Sequence, residues 1–294
     1  MNKICFIVNP LSGSRDRTQA IMGLIEEIIK PAGREYAIAW INGPGDGSRL
    51  SAEAVAQGFD IVAAVGGDGT VNEVGQALVG KSTALAVIPA GSGNGFARNL
   101  RVPLNLPEAL GLLLSPRIVW IDAGAINSRY FFSIAGMGLD AEISKSFEQQ
   151  GSRGTLSYFL AGIKTFFKYK PAAISIHHEG GMLTVSPLLM SIANGPQYGS
   201  GAIIAPRAKP DDGMLDVCII EPLPLWTAVY NLYRLFNGTI EYMPGYLSCQ
   251  TRSLRIERPA PGLIHLDGGP QHAEAVLKVD VLPGQLRVVA GKKG

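Results

Sequence analysis

Cysteine is scarce in this chain. Cys5, Cys218 and Cys249 are the only three in 294 residues, far apart and outside any paired motif. That pattern argues against a disulfide framework or a cysteine zinc site and fits reduced, structural thiols in a cytosolic protein. The four histidines show no metal-ligand spacing. Long apolar runs are missing as well: although 47% of residues are hydrophobic, no segment reaches the ~18 uninterrupted apolar residues of a membrane span. Met1-Asn2-Lys3 leads into a short apolar stretch and then Asn9-Pro10, too short for a signal peptide and readable as a first strand. The expected location is therefore cytoplasmic, at most peripheral at a membrane. Charge is sparse too, at 17% with a net +2. Such a balance does not argue for nucleic acid and allows weak attraction to anionic lipid. Repeats and low-complexity segments are absent.

What is present is punctuation: 36 glycines and 19 prolines imply many turns, and the length suits two domains better than one. Up to about residue 120 the pattern alternates. Strands are predicted over Ile4–Val8, Tyr36–Ile41, Ile61–Val65 and Leu85–Ile88, with helices over Thr18–Ile29, Ser48–Gln57, Val71–Leu78 and Pro107–Leu114. That order predicts an α/β domain with a parallel sheet covered on both faces, with ligands beyond the strand C-termini. After about Ile121 strand-like runs dominate: Tyr130–Ala135, Ala172–His178, Leu188–Ala193, Met214–Ile220, Ser253–Glu257, Leu263–Leu266 and Ala275–Val281, with a last strand at Leu286–Ala290 after Pro283-Gly284. Short connections rich in Gly, Pro and Asn predict a mainly antiparallel β domain. Helices are expected at Leu139–Gln149 and Thr155–Tyr169, the latter with an apolar side that suits a core, a lipid cavity or a membrane surface.

The richest stretch is Gly66-Gly67-Asp68-Gly69-Thr70, between an apolar strand and the first turn of a helix. Glycines there let backbone amides approach an anion, and a helix N-terminus adds partial positive charge. The lone carboxylate would repel phosphate unless a metal ion lies between them, so the combination suggests a nucleotide phosphate site with Mg²⁺. The plain alternative is a packing turn whose Asp caps a helix. Two more Gly-rich turns, Asn9–Ser14 and Ala90–Asn94, fall at the same end of the predicted sheet.

These residues resemble the diacylglycerol/sphingosine lipid kinase family. Asn9-Pro10-Leu11-Ser12-Gly13, Gly66 to Glu73, and Pro89 to Arg98 occur in the family's order, followed by Ala193-Asn194-Gly195, Ala205-Pro206, Asp211 to Asp216 and His265-Leu266-Asp267-Gly268. The resemblance spans nearly the whole chain. It implies a phosphofructokinase-like α/β domain over residues 1–122, with 283–294 returning to it, and a lipid-binding β-sandwich over 123–282, ATP lying in the cleft between them. The implied activity is an ATP-dependent, Mg²⁺-requiring kinase for a lipid hydroxyl at a membrane surface, with diacylglycerol, a sphingoid base or another long-chain alcohol as acceptor, and a homodimer as one possible assembly.

The resemblance also assigns roles. Asn9, Ser12, Gly13, Gly66, Gly67, Asp68, Gly69, Thr70, Gly91 and Ser92 would surround the nucleotide, with Asp68 organising Mg²⁺ or the lipid hydroxyl. Asp267 would be the general base; its plain alternative is a β-turn, for which Asp-Gly is well suited. The family triplet is Asp-Gly-Glu, whereas this chain has Asp267-Gly268-Gly269, so the acid thought to assist metal or nucleotide binding is missing. Lys209, Asp212 and Met214 match a structural cation site, where two main-chain carbonyls and the Asp carboxylate would hold Mg²⁺; a polar turn is the alternative. Asp140, Glu142 and Arg153 are candidates for the lipid headgroup, against a helix-start acid pair serving the dipole. His265 and His272 flank Asp267 and read as structural. Two competing functions remain: a lipid- or nucleotide-binding protein with impaired catalysis because of Gly269, and an NAD kinase.

Overall fold

The computed structural model describes residues 3–12, 15–150, 165 and 168–292. Contacts divide the chain into two compact units, Met1–Ile121 with Gly284–Gly294, and Asp122–Pro283.

The first unit is built on four parallel strands in the order β2-β1-β3-β4, where β1 is Lys3–Val8, β2 Glu35–Trp40, β3 Ile61–Gly66 and β4 Ala84–Pro89. Every residue of β3 and β4 is buried, while β2 at the edge alternates between half-buried and exposed. Continuous apolar runs such as Ile61-Val62-Ala63-Ala64-Val65 are what a strand covered on both faces requires. Helices α1 (Arg15–Ile28), α2 (Asp46–Ala56), α3 (Asp68–Gly75), α4 (Gly95–Asn99) and α5 (Leu106–Gly111) connect the strands and extend beyond them. In α1, Ile21 and Ile25 are buried one turn apart, the helical stripe that sets its inner face. The chain end is tied into this unit. Val288 pairs in parallel with Leu85, the Gly291 amide donates to Leu100 O at 2.9 Å, and the Arg117 guanidinium donates twice to Gly291 O, at 2.9 and 2.7 Å.

The second unit is an antiparallel β-sandwich. One sheet runs β12-β11-β10-β7-β14-β15, with β7 Ile134–Gly138, β10 Leu189–Ala193, β11 Leu215–Ile220, β12 Tyr246–Thr251, β14 Gly262–Leu266 and β15 Gly269–Ala273. The other includes β8 (Ile174–His178), β9 (Gly181–Val185), β13 (Ser253–Glu257) and the first part of β16 (Val276–Ala290). Alternate residues from both sheets, among them Met137, Met190, Val217 and Ile264 from the first and Ile176, Ile256, Leu277 and Val279 from the second, form one buried core, as the two-residue strand period requires. Helix α6 (Leu139–Gln150) follows β7 directly, and its Leu139 belongs to a second cluster with Ile134, Cys218 and Ile220.

Several predicted boundaries move. Tyr130–Ala135 is not one strand: it divides into β6 (Arg129–Phe131) and β7, broken at Phe132-Ser133. Conversely, the two predicted C-terminal strands are one, because Pro283-Gly284 bends β16 without ending it. Strands β5 (Arg117–Ile126), β9, β12 and β15 and helices α4, α7 (Leu225–Asn231) and α8 (Tyr233–Asn237) were not predicted; all but the ten-residue β5 are short, and most of β9 is exposed, which weakens the periodic signal. The expected helix Thr155–Tyr169 falls almost entirely outside the described residues.

Strand β5 (Arg117–Ile126) places Gly124 opposite Phe131 of β6, and a Cβ on Gly124 would lie 2.1 Å from that buried ring. Gly124→Ala is therefore expected to destabilise the protein by about 1–3 kcal/mol through overpacking. The urea unfolding midpoint tests this, and an unchanged midpoint would contradict the packing assigned to Phe131.

Candidate functional site

Three loops at the C-terminal ends of β1, β3 and β4 are locked to one another in the first unit. The Asn9 side-chain amide donates to Thr70 Oγ1 at 2.9 Å, while its carbonyl accepts from the Leu11 amide at 2.9 Å. Gly67 and Gly91 approach so closely that a Cβ on Gly91 would lie 2.5 Å from the Gly67 Cα, and one on Gly66 would lie 2.4 Å from Thr70 Oγ1. These glycines therefore let loop backbones touch, which no larger residue permits. The carboxylate of Asp68 accepts from the Phe96 amide at 3.0 Å, in the first turn of α4. Asn94, with φ +50°, closes its own loop by accepting from Gly91 N at 3.0 Å and donating to Gly91 O at 2.8 Å. Glu73 reaches the neighbouring loop, where it accepts from the Gly45 amide at the start of α2.

The result is a rigid rim with an open face. Gly69 and Ser92 are exposed, and a Cβ on Gly69 would meet nothing within 4 Å. Gly67 caps α3 with no side-chain hydrogen bond, the arrangement that leaves first-turn amides to an anion. Asn9, Gly66, Gly67, Asp68, Gly69, Thr70, Gly91 and Ser92 all lie on these three loops, and Ser12 donates its amide to Asn9 O at 3.1 Å. Gly13 lies outside the described residues. Among the described residues no group of three or more His, Cys, Asp or Glu forms a metal cage. A Mg²⁺ ion here would take its ligands chiefly from phosphates and water with Asp68, which is how this hard cation is held beside nucleotides.

In the second unit Asp267 and Gly268 form the two-residue turn between β14 and β15, with φ +48° and +85°. Positive φ at both positions is the type I′ hairpin geometry that Asp-Gly favours. The turn reading and a functional one are compatible, because the Asp267 side chain is buried and makes a precise set of contacts. Its Oδ1 accepts from the amides of Ser133 at 2.8 Å and Ile134 at 3.0 Å, and its Oδ2 from that of Phe132 at 2.8 Å. A regular strand sends successive N–H groups to opposite sides, so three consecutive amides can meet one carboxylate only where the strand breaks. That is why β6 and β7 are separate.

Beside Asp267 lies a buried polar cluster that contains His265, which the sequence reads as structural and whose partner Asp140 it does not reveal. His265 Nε2 is 2.6 Å from Asp140 Oδ2, and both side chains are almost fully buried. Gly136 makes room, since a Cβ there would fall 2.2 Å from His265 Nε2 and 2.5 Å from Asp140 Oδ2. Ser191, Gly136 and His265 are paired in a row across β10, β7 and β14, on the face away from the sandwich core. Tyr198 closes this layer, its hydroxyl on Ser191 Oγ and its ring 6.1 Å from that of His265. The signal for His265 was its period in β14, where an interior polar residue alternates with the core residues Ile264 and Leu266.

Glu142 is half-buried on α6, near enough to Tyr169 to help raise its pKa, after burial, which is the larger cause. Arg153 lies outside the described residues. Lys209, Asp212 and Met214 occupy the loop before β11, where Asp212 accepts from the Met214 amide at 3.1 Å and Asp122 accepts from the Gly213 amide at 2.7 Å. That is an Asx turn, with oxygen atoms of the type a hard cation takes.

Residues 3–126 match the family described as the diacylglycerol kinase catalytic domain, and residues 133–290 the YegS C-terminal NAD kinase beta sandwich-like domain. A "Probable lipid kinase YegS-like" of Pseudomonas aeruginosa (strain UCBPP-PA14) is 33% identical, over 98% of this chain and 94% of that protein. Its namesake in Chromohalobacter salexigens is 31% identical, over 97% and 92%. A crystal structure of a diacylglycerol kinase from Bacillus anthracis str. Sterne shares the fold, with a TM-score of 0.76 at 23% identity, over 99% of this chain and 97% of that one. An α/β unit of this kind with a β-sandwich of this kind defines a kinase. The chain belongs to the diacylglycerol-kinase-like lipid kinase family. Among the described residues no helix is long and apolar enough to cross a membrane.

The cluster has a pH signature. Burial, the largest single effect on His265, pushes its pKa down, but the charge and hydrogen bond of Asp140 and the charge of Asp267 together outweigh it, and the net shift is upward. The Gly268 amide, 3.3 Å from His265 Nδ1, favours the neutral ring; the 2.6 Å carboxylate contact is the stronger influence. A folded pKa above the unfolded ~6.5 means that the stabilisation is complete below about pH 6.5 and is lost as pH rises through the folded value. Wild type should therefore exceed Asp140→Asn in stability most at mildly acid pH, with the gap narrowing above neutrality. Urea melts across that range measure it, and a gap that widens with pH would contradict the charged pair.

Proposed function

We propose that this chain is an ATP-dependent, Mg²⁺-requiring lipid kinase that transfers the γ-phosphoryl group of ATP to the hydroxyl of diacylglycerol, a sphingoid base or a related long-chain alcohol. The observation that carries this reading is the seating of Asp267, whose carboxylate is held in one orientation by three consecutive backbone amides at the turn between β14 and β15.

In this reading the loops at Asn9, Gly66–Thr70 and Gly91-Ser92 hold the nucleotide phosphates through backbone amides and the α3 N-terminus. Mg²⁺, when bound, neutralises charge on the β- and γ-phosphates. Asp68 orients that phosphate end, itself held by the Phe96 amide. Asp267 orients the lipid hydroxyl and takes its proton as the oxygen bonds to the γ-phosphorus and the bond to the ADP oxygen breaks. Held by three amides, Asp267 acts chiefly through position, which suits a loose transition state in which positioning matters more than early proton removal. Asp140, with its carboxylate against His265, acts as a positioning residue for the Asp267 turn. Of the headgroup candidates Asp140, Glu142 and Arg153, Asp140 is taken up by His265, which leaves Glu142 and Arg153 for the headgroup, and the Lys209–Met214 loop is the candidate structural cation site.

Transfer from [γ-³²P]ATP to a lipid panel tests the reading. Asp267→Asn is expected to lower kcat roughly 10²- to 10⁴-fold, and Asp68→Ala to abolish Mg²⁺-dependent transfer. ATP binding with no labelled lipid would favour the binding-protein alternative, and labelled NADP from NAD would favour the NAD kinase. Gly269 provides a finer test. A Cβ there would meet only Leu266 O, at 3.4 Å, so Gly269→Glu fits sterically. It should restore the acid of the family triplet and lower the Mg²⁺ concentration needed for half-maximal rate; an unchanged Mg²⁺ dependence would remove Gly269 as a determinant.

A further inference from the structure

Helices α7 and α8 present their apolar residues outward. Leu232, between them, keeps right-handed helical angles (φ −56°, ψ −34°), so the helical phase runs on from one to the other. Trp226, Val229, Tyr230, Tyr233 and Phe236 recur at i, i+3, i+4, i+7 and i+10 and form one stripe. All five are exposed, Trp226 at 73% and Tyr230 at 72%. The inner side holds buried Asn231, together with Leu235, which packs on the cluster containing Leu139. This inverts the usual amphipathic arrangement, and an exposed apolar patch of this kind marks a surface that something covers.

We infer that this stripe docks on a phospholipid bilayer, lying in the interface without crossing it. Three of the five residues are Trp or Tyr, whose rings combine an apolar body with a polar tip and concentrate where lipid meets water. Charge favours the same partner. Between Glu221 and Glu241 the one charged residue is Arg234, which donates to Asn231 Oδ1 at 2.7 Å and lies 5.2 Å from the Tyr233 ring centroid. A second copy meeting this stripe about a two-fold axis would set an Arg-bearing patch against the same patch, with no acid in either stripe to pair it. An anionic headgroup supplies the missing charge. The position fits as well: the cluster beneath Leu235 includes Leu139, adjacent to Asp140, and Tyr198, which stands over His265. The inference rests on the lipid-kinase reading for the choice of a bilayer over another apolar partner.

Vesicle flotation of the full chain tests it, with phosphatidylcholine alone and with added phosphatidylglycerol. The wild type should float with the anionic vesicles. The triple variant Trp226→Ser, Tyr230→Ser, Phe236→Ser should lose about tenfold in partitioning. Arg234→Gln should lose about fivefold on anionic vesicles, the equivalent of roughly 1 kcal/mol per cation, and nothing on neutral ones. Matching urea midpoints show that the variants fold, and single Trp226→Ser replaces the triple variant if that one does not. Equal flotation of wild type and folded variants would overturn the docking surface, as would a wild-type dimer, seen by light scattering, that the substitutions convert to monomer. Phosphoryl transfer to a water-soluble panel of short-chain diacylglycerol, sphingoid base and alcohol separates the two readings. Flotation without transfer supports the docking and overturns the substrate class, while transfer without flotation overturns the docking alone.

Discussion

The arrangement of the second unit depends on one carboxylate. Asp267 gathers three successive amides, from Phe132, Ser133 and Ile134, and those contacts decide more than the position of a side chain. They break a stretch that would otherwise read as one strand, so β6 pairs with β5 while β7 joins the six-stranded sheet. They also fix the turn at Asp267-Gly268 in the left-handed region, where a non-glycine residue is uncommon. A buried anion is costly unless its hydrogen bonds are met, and here the donors are backbone groups that cannot rotate away. The local strain of the turn is matched by contacts that only this geometry allows, the condition under which strained positions persist at functional sites.

Glycine serves both units through what it leaves out. In the first, Gly67 and Gly91 let two loops touch through backbone atoms, and Gly66 leaves room for the Thr70 side chain that the Asn9 amide meets. In the second, Gly136 leaves a gap that the His265 and Asp140 side chains fill. The first use brings loop backbones together; the second hides a polar pair from water. Because a Cβ at Gly136 would meet both members of the pair, the glycine and the ion pair must be considered together: neither makes sense in β7 or α6 alone.

Much of the first unit was legible because its signals are local. Apolar runs of strand length ending in Asn9-Pro10, Gly66-Gly67 and Ala90-Gly91 place three loops at one sheet edge, and the parallel order follows from the alternation with helices. Asp68 stands out in the sequence as the lone acid of a glycine-rich loop, but its contact with the Phe96 amide was not legible, since α4 is only five residues long and follows a turn rich in glycine. In the second unit the sheets were foreseeable and their connections were not. Asp267 and its donors are over 130 residues apart, as are the ends of no local pattern, and His265 meets Asp140 across 125 residues. Periodicity places a polar residue on a face; it does not say which partner the face brings.

That limit explains why α7 and α8 escaped a pattern that otherwise locates helices. Amphipathic reading assumes that the apolar side is the buried side. In Leu225–Asn237 the assumption fails: Trp226, Tyr230 and Phe236 are exposed, and Asn231, the polar member, is buried with its side-chain amide on Thr227 O at 2.9 Å and its carbonyl accepting from Arg234. The helix is thus satisfied internally by polar contacts and left apolar toward the outside. Water is a poor partner for such a face, and a protein that acts on lipids has a better one at the surface where its substrate lies. The inversion is read from burial and the family from sequence, and it is only together that they favour a bilayer over another apolar partner for this face.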